Sequence, residues 1–326
     1  MRSNIKRQNA ILAVALVMAI FVFAGCRGKT EVGEPVFQPI RVVTDDLGRT
    51  VTIPLKVTRV VSLAPNLTEN IFAVGAGDRL VGVTTFCNYP EEAKSIAKIG
   101  DTMTPNMESI IALKPDVVFV STASQIETFT KTLEANGIAV YVARATRLFD
   151  VYHNLGELGI LFGTVDESHK IIASLDDRER AIRDILGTNL PKDEQRDERP
   201  ITREKRVSMV QVFVQISKEP LFTIGKDAFL NDLLQIAGGR SVTEEVASAF
   251  PKLSKETASA LNPEAIILSE SDDNKEPNEA FKNSPAVKNG RVYKVNADLL
   301  SRPGPRLVDA LEQIARQLHP EKFRNK

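Results

Sequence analysis

Glu108-Ser-Ile-Ile-Ala-Leu-Lys-Pro-Asp-Val-Val-Phe-Val-Ser121 aligns without a gap on Glu256-Thr-Ala-Ser-Ala-Leu-Asn-Pro-Glu-Ala-Ile-Ile-Leu-Ser269, with five of fourteen positions identical. In both stretches a helix opens beside a glutamate and runs to a Leu-x-Pro, where proline forbids another turn. An apolar run of strand length follows at once. A supersecondary unit repeated about 150 residues apart predicts two lobes on one plan, each carrying a glutamate at a corresponding surface position.

The residues around each copy extend the pattern. On the first side, 42–44 and 51–53 flank Asp45-Asp-Leu-Gly48 and read as a hairpin. The apolar run 57–63 reads as a strand buried on both faces. Asn66 and Glu69 have the spacing of a capping box ahead of Leu67, Ile71 and Val74. Strands at 80–84, 117–121 and 138–143 alternate with helices at 107–113 and 126–136, which predicts a mainly parallel sheet covered on both faces. Helical stretches follow at 149–162 and 166–186, the second laced with paired charges. The second copy lies among strands at 207–214, 221–224, 265–269 and 292–295 and helices at 230–237 and 307–318. The predicted organisation is therefore a first α/β lobe over 41–147, an interlobe helical segment over 148–187, a charged linker over 188–205 and a second α/β lobe over 206–326.

The start of the chain reads as a leader. Arg2, Lys6 and Arg7 precede an uninterrupted apolar run over residues 11–23, thirteen residues against the roughly 20 that a spanning helix needs. Phe23-Ala-Gly-Cys26 resembles the lipobox of bacterial lipoproteins, so residues 1–25 are expected to be removed and Cys26 to carry lipid. Residues 26–40, with Gly28, Gly33, Pro35 and Pro39, read as a flexible tether. Cleavage leaves Cys87 as the one remaining thiol of the two cysteines, so no internal disulfide is expected.

Composition narrows the function. Over 326 residues the 42 Lys and Arg balance the 42 Asp and Glu, which removes the basic footprint of a nucleic-acid binder. Removing three of those basic groups with the leader leaves the mature chain slightly acidic. His153, His169 and His319 lie far apart and lack the spacing of a zinc site, so no resident metal or cofactor is expected. Gly75-Ala-Gly77 follows a helix where a dinucleotide fingerprint must follow a strand, and Gly225-Lys226 is followed by Asp227 instead of the Ser or Thr of a phosphate loop. No Gly-x-Ser-x-Gly elbow is present, and Ser62 has no neighbouring histidine in sequence. Binding is favoured over catalysis.

Val60-Val-Ser-Leu-Ala-Pro-Asn-Leu-Thr-Glu69, Val81-Gly-Val83, Asn88-Tyr-Pro90, Asn106 with Met107 and the repeat to Asp116, and Arg302-Pro-Gly-Pro-Arg306 occur in that order. Together they resemble, over residues 41–320, the periplasmic substrate-binding proteins of ABC transporters for vitamin B12, ferric siderophores and haem, of the class with a single linking helix. The vitamin B12-binding branch is the nearest. The resemblance implies two Rossmann-like lobes joined by one long helix, placed here at 166–186, with ligand in the cleft between them. It implies that Glu108 and Glu256 pair with arginines of the permease.

It also implies a ligand site. Ala64, Pro65 and Asn66 are expected at the mouth of the first lobe, with Phe86 and Tyr89 in a neighbouring loop. Thr102 and Leu299 stand where the family carries tryptophans, and this chain has none. Phe213, Gln215 and Phe222 are the candidates from the second lobe, and Arg302 is the candidate for a ligand carboxylate or phosphate. Haem calls for an axial ligand, for which only Tyr89 is placed near the mouth, and anionic ferric siderophores call for several basic groups, of which only Arg302 is placed. A corrinoid is thus the expected ligand, with a siderophore or haem as the alternative within transport. A lipoprotein sensor or interaction module is the alternative of another class.

Overall fold

A computed structural model describes residues 39–122, 126–188 and 208–324. The leader, Cys26 and nearly all of the tether and charged linker lie outside them. The hairpin comes first, with β1 (Ile40–Thr44) and β2 (Thr50–Pro54) antiparallel. Asp45 Oδ1 accepts from the amides of Leu47 and Arg49 at 3.1 and 2.9 Å, and Gly48 takes the positive φ of 76° that closes the turn.

The first sheet is all parallel, in the order β4-β3-β5-β6: β3 (Val60–Ser62), β4 (Leu80–Val83), β5 (Val117–Ser121) and β6 (Ala139–Ala143). Helices α1 (Pro65–Ala73), α2 (Met107–Ala112) and α3 (Ile126–Ala135) join the strands. Val117 and Phe119 enter one apolar core while Val118 and Val120 enter another, all fully buried. That is why β5 reads as a continuous apolar run instead of an alternation. Helix α1 corrects the expected capping box: it starts at Pro65 after Ala64, and no side chain caps it. Proline suits the first helical position because its missing N–H is one that the helix leaves unpaired there. Glu69 is thereby left available for other partners.

Helices α4 (Leu148–Phe162) and α5 (Val165–Leu186) lead to the second sheet. Its elements are β7 (Val210–Ser217), β8 (Phe222–Thr223), α6 (Leu230–Ile236), β9 (Gly239–Ser241), α7 (Lys255–Ala260), β10 (Ala265–Glu270), α8 (Pro285–Lys288), β11 (Val292–Asn296), α9 (Ala297–Ser301) and α10 (Leu307–Leu318). The order is β11-β10-β7-β8, with β9 parallel to the start of β7 and β8 antiparallel to its end. Helix α5, 22 residues and so about 33 Å long, packs on α1 and α4 of the first lobe and on α6 and α10 of the second. Its Arg178 is held by Asp309 at 2.6 Å and Glu312 at 2.8 Å of α10. One apolar core includes Val60, Leu155, Leu175 and Ile267, so it is shared by both lobes and the helices between them.

The sequence repeat is a structural repeat. Asn106 Oδ1 caps α2 by accepting from the Ser109 amide at 2.9 Å, and Ser254 Oγ caps α7 by accepting from Thr257 at 3.1 Å. A leucine C-caps each helix, Lys114 and Asn262 both take φ 47°, and a proline follows. The next amides, of Asp116 and Glu264, donate at 2.8 Å to the carbonyls of Arg59, just ahead of β3, and Gln211, the second residue of β7.

Candidate ligand-binding site

Parallel strands deliver their carboxyl ends to one side of a sheet, and ligands bind in the crevice outside those ends. Here a cleft of about 650 Å³ opens there, walled by both lobes. Ala64, Pro65 and Asn66 follow β3, Phe86 follows β4, and Ser121 and Thr122 finish β5. Ala145 and Thr146 follow β6. From the second lobe come Asp227, Ala228 and Phe229 ahead of α6, then Ala249 and Phe250, and then Asp298, Ser301, Arg302 and Pro303 behind β11. Phe86 is 59% exposed and Phe250 45%, so two aromatic rings stand at the cleft with apolar surface open to solvent. Hydroxyls of Thr102, Ser121, Thr122, Thr146 and Ser301 supply the polar fringe.

The expected site residues therefore divide. Ala64, Pro65, Asn66, Phe86, Thr102 and Arg302 are brought together in the cleft. Tyr89 is not among the lining residues: its ring lies under the Arg306 guanidinium, 4.0 Å from ring centre to carbon. Phe213 is fully buried against Phe281, ring centres 4.4 Å apart. Gln215 is also fully buried, donating through Nε2 to Asn274 Oδ1 at 2.7 Å and accepting through Oε1 from the Asn278 amide at 2.8 Å. It pins a loop of its own lobe. Phe222 is half-buried in β8, and Leu299 packs into the shared core from α9. Phe213 and Gln215 are interior because they sit within a strand, whereas the cleft is lined from the segments after the strands; Tyr89 and Leu299 follow β4 and β11 without being among the lining residues.

Arg302 reaches the cleft already occupied. Its Nη1 donates to Glu69 Oε1 at 3.0 Å and Asn88 Oδ1 at 2.7 Å. Its Nη2 donates to the Phe86 carbonyl at 3.3 Å and pairs with Asp298 Oδ1 at 2.7 Å. Glu69, whose side chain is 2% exposed, also binds Arg306 through Nε at 2.9 Å and Nη2 at 2.6 Å. Burial by itself would lower the pKa of Arg306, but the Glu69 carboxylate outweighs it and holds the guanidinium above its ordinary value. This clasp ties α1 of the first lobe to the Arg302-Pro-Gly-Pro-Arg306 turn of the second. A second tie runs the other way: Asp232 of α6 accepts from the Leu148 amide at the start of α4 at 2.9 Å.

Glu108 and Glu256 stand exposed in the first turns of α2 and α7, outside the cleft lining. The Glu256 carboxyl lies below its ordinary pKa because its own backbone amide, and then the Ser254 hydroxyl, hydrogen-bond to it. Cys87 is buried and free, its sulfur 3.1 Å from the Thr68 hydroxyl and 3.2 Å from that of Thr84.

The model of one family, described as periplasmic binding protein, matches residues 60–299. The chain belongs to the periplasmic binding protein family. Among its relatives, YvrC of Bacillus subtilis, named an uncharacterized ABC transporter substrate-binding lipoprotein, is 30% identical over 98% of this chain and 99% of its own. The crystal structure of the vitamin B12-binding protein BtuF of Vibrio cholerae superposes with a TM-score of 0.67 at 25% identity, over 82% of this chain and 99% of that one. A possible iron-binding periplasmic solute-binding protein from Staphylococcus epidermidis gives 0.64 at 26% identity, over 81% and 99%. The two-lobe fold of this family member is thus the one its repeat predicted. Asp227, Phe229, Phe250 and Asp298 were not legible as cleft residues in the sequence. For Asp227, Phe229 and Asp298 the usable signal was position, immediately ahead of α6 and immediately behind β11, whereas Phe250 lies in the segment between β9 and α7.

Proposed function

We propose that this chain is the substrate-binding lipoprotein of an ABC importer, held on the outer side of a membrane through Cys26, and that it captures a corrinoid for the permease. The observation that carries the ligand is the donor set of the cleft. Among the described lining residues there is no histidine, cysteine, methionine or tyrosine to serve a haem iron, and the one guanidinium is bound on both nitrogens by protein groups. Phenyl rings and scattered hydroxyls match the broad apolar face and amide-fringed edge of a corrinoid.

Titration of the purified mature protein with cyanocobalamin, haem and ferric siderophores tests the assignment. Binding of cyanocobalamin at micromolar or tighter Kd, weakened by about tenfold or more in Phe86→Ala, is expected. Tight binding of an iron ligand with none of the corrinoid would transfer the protein to the iron branch of its family. Docking is assigned to Glu108 and Glu256. Changing both to Lys should abolish uptake in cells and leave ligand affinity within about threefold, since like charges facing a cationic partner are strongly unfavourable. Normal uptake by the double variant would remove that assignment. Cys26→Ser should release the protein from membranes or block its processing.

A further inference from the structure

Among the described residues three charged side chains line the cleft, Arg302, Asp298 and Asp227, and two of them are spent on the protein itself. Arg302 and Arg306 are matched by Glu69 and Asp298, two guanidiniums against two carboxylates, within one hydrogen-bonded group. Asp298 has both oxygens engaged, Oδ1 by Arg302 and Oδ2 by Asn88 Nδ2 at 3.0 Å. Asp227 differs. It is exposed, lines the cleft, and has no hydrogen bond or ion pair among the described residues. The adjacent Lys226 is not a lining residue. Beside Asp227 in the lining stand Ala228 and Phe229, and Ala249 and Phe250 belong to the same lobe's wall, surfaces that screen a charge poorly.

We infer that Asp227 gives the cleft a net negative charge and makes it select against anionic ligands, accepting hydrogen bonds from the N–H groups of a neutral, amide-fringed one. The inference rests on the ligand-capture reading above and adds to it the residue that sets ligand charge. A carboxylate on the ligand near Asp227 meets a fixed like charge with no free cation among the described lining residues to offset it. An amide at the same place donates to the carboxylate instead.

A matched pair of probes isolates charge from shape: cyanocobalamin, and cyanocobalamin with one propionamide hydrolysed to a carboxylate. Wild type is expected to bind the neutral probe about fivefold to tenfold more tightly at low ionic strength, the gap shrinking as salt is added. Asp227→Asn keeps the shape and one acceptor oxygen. It should close most of the gap while weakening the neutral probe by no more than about threefold. Asp227→Lys should reverse the preference. A gap that survives unchanged in both variants would overturn the inference and leave corrinoid capture standing. If wild type binds neither corrinoid, the corrinoid reading falls, and haem, with its two carboxylates, becomes the probe. Tighter haem binding by Asp227→Lys than by wild type would then support the charge rule, and equal binding would overturn it.

Discussion

Each lobe reaches across to the other with a carboxylate from the first helix of its sheet's chain order, α1 after β3 and α6 after β8, and the two bonds are unlike. From α1, Glu69 is a buried anion gripped by Arg302 and Arg306 at 2.6 to 3.0 Å. From α6, the half-buried Asp232 accepts from the backbone amide of Leu148 at 2.9 Å. In both cases the receiving segment lies behind the last strand of the opposite sheet, so the fold repeats the gesture at corresponding places. One tie is an ion cluster that cannot lose a member cheaply, and the other caps the first turn of a helix. Duplication of a plan preserves where a contact falls, and leaves its strength to the local residues.

The two ties should separate sharply in stability. Glu69→Ala takes from Arg306, 19% exposed, its carboxylate and leaves the 9% exposed Arg302 with Asp298 alone, and a loss of about 3 kcal/mol is expected in urea unfolding. Asp232→Asn should cost about 1 kcal/mol. Equal losses would dissolve the distinction. The repeats offer a finer measure. Asp116 Oδ2 accepts from the Thr58 amide at 2.6 Å, its hydroxyl at 3.1 Å and the Arg59 amide at 2.9 Å, whereas Glu264 accepts only from the Gln211 amide at 2.8 Å among the described bonds. Asp116→Ala should therefore cost about 2 kcal/mol and Glu264→Ala about 1 kcal/mol in the same assay, and the reverse order would show that the bond count misleads.

The smallest contrast concerns the left-handed joint before each proline. Both joints hold φ 47°, but Lys pays a steric cost there that Asn tolerates. Lys114→Gly should raise stability by about 0.5–1 kcal/mol, and Asn262→Gly should change it by a few tenths at most. Matching shifts in Tm for the two would refute the steric account.

What the sequence carried was periodicity and punctuation. Leu-x-Pro at 113–115 and 261–263 announced both joints, and the apolar runs announced strands covered on two faces. The hairpin was legible in its turn, and α5 in its length. The two-residue strand β8 was read at 221–224, whereas the three-residue β9 was not, because Gly238-Gly239 reads as punctuation after a helix. Ala64, Pro65, Asn66 and Phe86 came from the family resemblance, and each lies in the cleft lining in a segment that follows a strand. The cleft was illegible where the choice lay along one strand, so Phe213 and Gln215 were placed in the site when both are interior. Arg302 shows the deeper limit. Its partners Glu69 and Asn88 lie more than 200 residues away, and no local pattern says that a cation is already neutralised.

The shared strut α5 and the two opposed ties have a mechanical consequence. A hinge needs one direction in which parts separate freely, and here spreading the lobes would stretch an ion cluster, pull a helix cap, or bend a helix anchored on both sides. The frame is braced like a truss. Entry then falls to the hardware of the doorway, the rings of Phe86 and Phe250, which turn in nanoseconds where a braced frame would need far slower breathing. A frame braced this way is expected to keep nearly the same outline with and without ligand, which small-angle scattering of the two forms checks.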